Sequence, residues 1–254
     1  MSFLETFFCL KDKVVFITGS NGQLGRCIAE HFNNAGAIVI GSDMDEKSDS
    51  APNYYSLDIT HKENTKQVLS NIYKRFGKID TIINNAGVST FKKFEERSEE
   101  DFNWVMDVNL KGTFNCIQSY VNLFDEHKCS KGSIINIASI FGMVSPDFRN
   151  YTDCDRNNSE VYGATKAGLI QMTKYFACHL AKRPICVNAI SPGGIFNPKN
   201  PQGEGFIQQY SNRVPMDRMA NDQEMIGALF YLASDSASYT TGQNITIDGG
   251  MTSW

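Results

Sequence analysis

The chain has 254 residues, of which 41% are hydrophobic and 20% are charged, and its formal net charge is -4. This length allows one large domain or two small ones, each with a sizeable core. The small negative charge gives no electrostatic reason to expect nucleic acid or an anionic membrane as a partner, so we expect a small-molecule ligand. No apolar stretch approaches the roughly 18 residues that a membrane span requires.

The cysteines show no C-x-x-C spacing and no pairing with histidine at the spacing of a zinc site. We interpret them as reduced thiols of a cytoplasmic protein, and we predict no metal site. The apolar first ten residues contain Glu5 and lack the basic start and cleavage site of a secretory signal. We therefore interpret them as a packed terminal arm. The seven cysteines are Cys9, Cys27, Cys116, Cys129, Cys154, Cys178 and Cys186.

Short β-branched runs alternate with helical patterns along the whole chain. The predicted strands are "KVVFIT", "AIVIGS", "IDTIIN", "GSIINIAS", "ICVNAIS" and "NITID". Apolar strands that alternate with helices predict an α/β fold, in which helices cover both faces of a parallel sheet. Helix starts are indicated at Ser98 and Asn221, each followed three residues later by an acid, as in a capping box. Without repeats, linkers or charge blocks, we expect a single domain over residues 1–254.

Two segments do not follow this regular pattern. Residues 145–160 are polar and irregular, and residues 196–215 contain several prolines. Long loops in compact domains commonly act as lids or binding loops. We predict that both segments shape a substrate pocket.

A glycine-rich turn, "TGSNGQLG", follows the first strand and opens the first helix. It places Gly19, Gly22 and Gly25 at intervals of three residues. Glycine permits a tight turn and a close approach of the backbone to a ligand, and a helix N-terminus offers N–H groups to a pyrophosphate. The turn therefore predicts a dinucleotide-binding site.

An acid ends the second predicted strand. Asp43 follows Gly25 by 18 residues, a position from which a carboxylate can accept hydrogen bonds from the adenosine ribose and repel a 2′-phosphate. Met44 comes next, and no Lys or Arg lies in the glycine turn to receive such a phosphate. We therefore predict NAD(H) in preference to NADP(H). The alternative is that Asp43 is a solvated loop acid.

Tyr162 and Lys166 stand four residues apart in the helical stretch "EVYGATKAGL" and so share one helix face. A tyrosine that works near neutral pH needs its pKa lowered by roughly 3 units from about 10, or about 4 kcal/mol. One positive charge at about 4 Å contributes about 4 kcal/mol at an effective dielectric constant near 20. Such a pair is also expected by chance in a chain with 10 Tyr and 24 Lys and Arg residues, so the pair alone does not establish a catalytic role.

Other motifs along the chain bear on the role of Tyr162 and Lys166. In chain order they are "TGSNGQLG", "LDIT", "NNAG", "VNLKGTF", "NIAS", "YGATK", "SPGGIFN" and "TGQNITIDGG". By their order and spacing over almost the whole length, the chain resembles the short-chain dehydrogenase/reductase family, in its compact single-domain branch. The resemblance implies a Rossmann-type sheet of about seven strands and hydride transfer between a carbonyl compound and an alcohol.

The same resemblance implies roles for individual residues. Tyr162 would be the general acid or base, Lys166 would hold the nicotinamide ribose and lower the pKa of Tyr162, and Ser139 would bind the substrate oxygen. Asn109 would anchor a water molecule in the proton relay. Considered alone, Ser139 could merely end its strand, and Asn109 could bond the backbone of its own helix. The implied cofactor-binding residues are Gly19, Asn21, Gln23, Leu24, Gly25, Asp43, Asp58, Ile59, Asn85, Ala86, Gly87, Tyr162, Lys166, Pro192, Gly193 and Ile195.

Three departures from the family pattern bear on the substrate. Gln23 stands where the compact branch usually has glycine, 23 residues separate Ser139 from Tyr162, which is a longer interval than is common, and Asn197 replaces a common threonine. The enlarged polar rim and the glycine spacing resemble oxidoreductases of flagellin-modification and surface-glycan pathways. They imply a sugar or sugar-nucleotide substrate.

Two alternatives stay open. One is an enzyme that reduces a 3-oxoacyl thioester. The other is a non-catalytic, NAD-responsive binding protein on the same fold. As a partner the resemblance also implies a second copy of the chain, in a homotetramer or homodimer built from the helices that contain Asn115 and Tyr175.

Overall fold

The computed structural model of the chain describes residues 6–46, 51, 53–153 and 156–254. Across these residues, seven parallel strands form one sheet in the order β3-β2-β1-β4-β5-β6-β7. The predicted α/β class and the parallel sheet are confirmed. The strands are β1 (Val14–Thr18), β2 (Ile38–Asp43), β3 (Asn53–Ser56), β4 (Thr81–Asn84), β5 (Gly132–Ile137), β6 (Ile185–Pro192) and β7 (Asn244–Ile247).

Helices cover both faces of this sheet. They are α1 (Gln23–Asn34), α2 (Lys62–Phe76), α3 (Glu99–Met106), α4 (Thr113–Glu126), α5 (Glu160–His179), α6 (Glu204–Ser211) and α7 (Ile226–Ala233). The capping box predicted at Ser98 starts α3, and the one at Asn221 starts a 3₁₀ turn that leads into α7. Helix α6 lies within the segment 196–215, so that segment is not irregular throughout as the sequence analysis expected.

Alternate residues of the strands supply two separate cores. Val15 and Ile17 of β1 pack with α1 and α7 on one face of the sheet. Val14 and Phe16 pack with α2, α4 and α5 on the other face. Because both faces are covered, the strands read as nearly continuous apolar runs, which is why they were recognisable in the sequence.

The strand order reverses at β1, which pairs with β2 on one side and β4 on the other. In a parallel sheet, the carboxyl ends of the strands at such a reversal leave a crevice in which ligands bind. The glycine turn follows β1 and the "NNAG" motif follows β4, so the topology brings both motifs to this crevice.

Two sequence-based predictions fall partly outside the described residues. Of the terminal arm, residues 1–5 lie outside, while Leu10 is buried in the core with α1. Cys154 also lies outside, and the other six cysteines are free. Within the described residues, no helix combines the length and the apolar character that crossing a membrane would require.

A 3₁₀ turn, Ile140–Gly142, follows β5 and lies directly against α5. A methyl group added at Gly142 would lie 2.6 Å from the carbonyl carbon of Lys166 and 2.7 Å from the nitrogen of Ala167. Glycine is therefore required for this close approach, which brings the turn that begins at Ser139 against the helix that carries Tyr162.

We expect Gly142→Ala to lower the free energy of unfolding by about 1–3 kcal/mol, because the added methyl group forces the turn away from rigid helix backbone. Urea unfolding measures this change. The control is Gly227→Ala in α7, where nothing lies within 4 Å of the added atom and alanine favours the helix. Equal stability of the two variants would show that the turn can shift without cost.

Candidate active site

The glycine turn closely approaches the end of β4. Gly19 has a positive φ of 65°, and a Cβ atom there would lie 2.7 Å from the Cα of Ala86. Gly22 is the N-cap residue of α1 and makes no side-chain cap, so the first turn of the helix presents N–H groups that lack intrahelical partners. A phosphate group is the ligand that such a helix start favours.

Asn85 holds this turn in place. Its Nδ2 donates hydrogen bonds to the backbone oxygens of Thr18 at 3.0 Å and Gly19 at 2.9 Å. The hydroxyl of Thr18 in turn accepts the backbone N–H groups of Asn85 and Ala86, each at 3.1 Å. The sequence analysis did not single out Thr18, although it opens the quoted glycine motif. These bonds make the ends of β1 and β4 a single rigid wall.

The acid at the end of β2 lies against the same turn. Asp43 accepts the backbone N–H of Asn21 at 3.0 Å, and the side chain of Asn21 donates to Asp45 at 2.8 Å. Asp43 is thus held by the cleft wall and is not merely a solvated loop acid. A cleft of about 540 Å³ begins here. Its lining includes eleven predicted residues: Gly19, Asn21, Gln23, Leu24, Gly25, Asp43, Asp58, Ile59, Asn85, Ala86 and Gly87.

Gln23, the residue that departs from the family pattern, crosses this cleft. Its Nε2 donates a hydrogen bond of 2.7 Å to the backbone oxygen of Phe196, which lies beyond β6. The turn forms normally despite the missing glycine, since the side chain points away from it toward the neighbouring loop. Gln23 also lines a second cavity of about 580 Å³ that shares Gly87 and Val88 with the first.

The second cavity contains Ser139 and Tyr162, and both irregular segments of the sequence contribute to its wall. Ser139 follows β5 and is buried, and its hydroxyl accepts the backbone N–H of Phe141 at 3.1 Å. Segment 145–160 contributes Tyr151, Arg156 and Asn158, and segment 196–215 contributes Asn197, Gln202, Gly203, Phe206 and Tyr210.

The pKa of Tyr162 differs from the sequence-based expectation. Burial raises this pKa above its ordinary value, and the hydrogen bond with Ser139 only partly offsets the increase. The Lys166 ammonium lies 5.5 Å from the centre of the Tyr162 ring, as the four-residue spacing requires. Lys166 does not lower the pKa of Tyr162 as expected; removal of the phenolate from water raises this pKa, and only the Ser139 hydroxyl opposes the increase.

Lys166 is itself deeply buried, with 4% of its surface exposed. Its ammonium donates a hydrogen bond of 2.7 Å to the backbone oxygen of Ile137 at the end of β5. Burial lowers its pKa to about 8. A methyl group at Gly87 would lie 3.4 Å from this ammonium, so Gly87 keeps the space beside Lys166 open.

Asn109 lies in a π-helical turn, Asp107–Gly112, that joins α3 to α4. Its side chain does not bond to its own helix. Instead it accepts the backbone N–H of Val88 at 2.7 Å and donates to the oxygens of Val88 at 2.9 Å and Thr165 at 3.1 Å. These bonds join the loop after β4 to α5. The role of Asn109 as a water anchor stays a prediction.

The residues after β6 are divided between the cavity wall and the core. Gly193 lines the second cavity, as does Gly194, which the sequence analysis did not select. Ile195 packs against the core of α1 and α7 and, like Pro192, is absent from the lining of both cavities. The hydroxyl of Tyr210 accepts the N–H of Gly194, a contact between distant residues that no local pattern indicates.

The close glycine turn, the uncapped start of α1 and the two connected cavities fit a nicotinamide dinucleotide. Beside them, Ser139, Tyr162 and Lys166 converge at the carboxyl end of the sheet. This combination defines a Rossmann-type oxidoreductase.

Comparison with known proteins places the chain more narrowly. Residues 19–252 match a family described as enoyl-(acyl carrier protein) reductase. A 3-oxoacyl-(acyl-carrier-protein) reductase of Thermotoga maritima is 34% identical over 95% of this chain and 98% of its own length. The chain belongs to the short-chain dehydrogenase/reductase family.

Solved structures agree on the fold. A short-chain dehydrogenase of Leptospira borgpetersenii with bound NAD+ is 40% identical, with a TM-score of 0.88 over 99% of this chain and 96% of that one. A gluconate 5-dehydrogenase of Burkholderia cenocepacia, in complex with NADP and tartrate, is 25% identical, with a TM-score of 0.86 over 97% and 98% of the two chains. The two cofactors in these neighbours leave the preference between NAD and NADP to be decided from the site.

The finer resemblance to enzymes of flagellin-modification and surface-glycan pathways is not supported by these curated relatives. They bear the name of a 3-oxoacyl reductase and so favour the alternative that the sequence analysis kept open. Assembly into a homotetramer or homodimer stays a prediction. Tyr175 is 58% exposed on α5, whereas Asn115 is buried and bonds to Ile59 and Thr60 within its own chain.

The buried lysine predicts a pH-dependent stability. Between about pH 8 and the ordinary value of 10.5, the unfolded chain retains a proton on Lys166 that the folded protein has released. Because the unfolded state binds more protons, the stability of the wild type should rise with pH relative to Lys166→Met, and should stay level below pH 8. Urea unfolding between pH 7 and pH 10 measures this difference. Lys174→Met, on the exposed face of the same helix, should show no such trend.

Proposed function

We propose that the protein is an NAD(H)-dependent oxidoreductase that interconverts a carbonyl compound and an alcohol, with Tyr162 as the general acid or base. The observation that carries this proposal is that Ser139 and Tyr162 line the same cavity beside the dinucleotide cleft, with the buried Lys166 ammonium 5.5 Å from the centre of the Tyr162 ring. A non-catalytic binding protein would need the glycine turn but would have no use for this arrangement, in which a half-buried phenol and a buried ammonium lie at a strand end.

In the reductive direction, Tyr162 gives its phenolic proton to the substrate oxygen as negative charge develops there. Ser139 holds that oxygen with its hydroxyl, and Lys166 stabilises the phenolate that remains. A bound nicotinamide supplies the hydride in this direction and accepts it in the reverse direction. Because burial raises the pKa of Tyr162, the phenol is well protonated at neutral pH and is prepared to act as an acid.

Lys166 has two further N–H groups besides the one directed at Ile137. We assign these to the nicotinamide ribose hydroxyls, since Gly87 leaves room beside the ammonium. The bond to the Ile137 oxygen fixes the ammonium in place before any ligand arrives. Fixed charge of this kind stabilises a developing phenolate without a cost of reorganisation.

The preference for NAD(H) rests on the adenosine end of the cleft. Asp43 and Asp45 both line it, and no described lining residue there is a lysine or an arginine. Two carboxylates oppose a 2′-phosphate, whereas Asp43 is placed to accept hydrogen bonds from ribose hydroxyls.

We expect Asp43→Ala to weaken NADH binding about tenfold or more, because a charge-assisted hydrogen bond contributes about 1.5–3 kcal/mol, and to leave NADPH binding unchanged or tighter. Titration of nicotinamide fluorescence measures both affinities. Glu126→Ala removes the same charge from an exposed position at the end of α4 and should change neither. The assigned role of Asp43 is wrong if the wild type prefers NADPH by more than about tenfold in kcat/KM, about 1.4 kcal/mol.

Tyr162→Phe should lower kcat about 10²- to 10⁴-fold, because the substrate oxygen loses its proton donor, while the affinity for NADH changes little. Steady-state turnover and NADH titration measure the two effects separately. Tyr175→Phe removes a hydroxyl group from the exposed face of the same helix and serves as the control. Retained activity in the Tyr162 variant would remove this residue from the mechanism.

For the substrate, the names of the curated relatives support a 3-oxoacyl thioester. The lining of the cavity supports a second candidate, a hydroxylated compound such as a sugar or sugar nucleotide. Amides and hydroxyls from Ser89, Asn158, Asn197 and Gln202 line the cavity beside its apolar residues. A solved neighbour of the same fold is named for its action on gluconate.

The two candidates make different demands on the cavity. Amide and hydroxyl groups of its lining can pair with the hydroxyl groups of a sugar, whereas an alkyl chain offers them no partner. A buried polar group left without a partner costs about 1–3 kcal/mol. Turnover of acetoacetyl thioesters compared with that of sugars and sugar nucleotides, with NADH or NAD+, decides between them.

A further inference from the structure

Arg156 lies on the wall of the cavity that contains Tyr162 and Ser139. Its guanidinium carbon lies 4.3 Å from the centre of the Phe91 ring, within the range of a cation–π interaction. The neighbouring backbone is also held: the N–H of Asn157 donates to the Phe91 oxygen at 3.0 Å, and Arg97 donates to the Asn157 oxygen at 3.3 Å. The guanidinium is therefore preorganised.

No acid among the described residues neutralises the charge of Arg156. In the described part of the chain it forms no ion pair, whereas several other arginines do. Arg97 pairs with Glu160, Arg149 and Arg213 both pair with Asp147, and Arg218 pairs with Glu224. Among the described residues of the segment, the acid nearest to it in sequence is Asp153, which accepts the backbone N–H of Gly205 at 2.7 Å.

The cavity itself has a simple charge pattern. Among the described residues that line it, Arg156 alone carries a formal charge at neutral pH, and the rest are apolar, amide, hydroxyl or phenol groups. A partly buried cation with no acid among the described residues that line its cavity is costly unless a ligand supplies the opposite charge.

We propose that Arg156 binds a carboxylate or phosphate group of the substrate, and that the enzyme is selective for anionic substrates. This inference rests on the proposed function, because it places the reacting oxygen at Ser139 and Tyr162 and the anionic group elsewhere in the same cavity. A guanidinium offers a planar fork of N–H donors that matches either anion in a bidentate manner. The long interval between Ser139 and Tyr162 is what supplies this arginine.

Two attachment points at different places give the substrate one orientation. The anionic group holds one end, so that the carbonyl or alcohol carbon at the other end is presented to Tyr162. Orientation by a remote charged contact is a common use of binding energy in catalysis. Arg156 is on this view a specificity-determining residue.

Binding of three matched probes to the enzyme saturated with NADH tests the inference. The probes are glucose, gluconate and glucose 6-phosphate, which share a hydroxylated chain and differ in charge. We expect at least one anionic probe to bind the wild type about tenfold or more tightly than glucose, and its identity distinguishes a carboxylate site from a phosphate site. Isothermal titration calorimetry measures the affinities.

Arg156→Gln should remove this preference, and Arg156→Lys, which keeps the charge without the fork, should retain part of it. Arg149→Gln lies on the same segment, outside the cavity lining, and should behave as the wild type. NADH affinity should be the same in all four proteins, which also shows that each is folded. Equal binding of all three probes to the wild type, or an anion preference that survives in Arg156→Gln, overturns the inference.

The outcome also separates this inference from the function on which it rests. If the wild type does not bind NADH, the proposed function fails and the role of Arg156 fails with it. If NADH binds and turnover depends on Tyr162, but no anion preference is found, the proposed function stands and only the role of Arg156 is wrong.

Discussion

The hydrogen bonds that join Asn85 to Thr18 and Gly19 are the constraint on which the rest of the site depends. They hold the ends of β1 and β4 together where the strand order reverses. This allows the backbone of Gly19 to lie against Ala86 and aims the start of α1 at the cleft. Asn109 connects the loop after β4 to α5, and Gln23 connects the glycine turn to the chain beyond β6.

The sequence was most informative where chemistry and local pattern coincide. The apolar strands, the capping boxes and the four-residue spacing of Tyr162 and Lys166 all arise from neighbours along the chain, so each could be predicted. Strand β3 is short and polar, and α6 lies in a segment rich in proline and glycine, so neither has the pattern of its class. The partners of Asn109 and Tyr210 lie far away in sequence, and only the fold reveals them.

The pKa of Tyr162 shows a second property that the sequence could not predict. A sequence reveals which charges can be near one another but not how far water is excluded from them. Here the same helix that brings Lys166 to Tyr162 withdraws both groups from bulk water, which opposes the charged form of each. A fold selected only for stability would avoid two such groups at this position. Their presence is the structural reason to regard this strand end as a centre of chemistry, since strained electrostatics of this kind concentrates at functional sites.

The bond from Gln23 to the oxygen of Phe196 spans the two walls of the cleft, one formed by the phosphate turn and the other by the chain beyond β6. A single neutral hydrogen bond contributes only about 1 kcal/mol, so thermal motion opens and closes it readily. The bond therefore holds the two segments together only weakly. The phosphate turn and the chain beyond β6 can therefore separate at this point with little cost in free energy, and the bond sets their spacing only while it is formed.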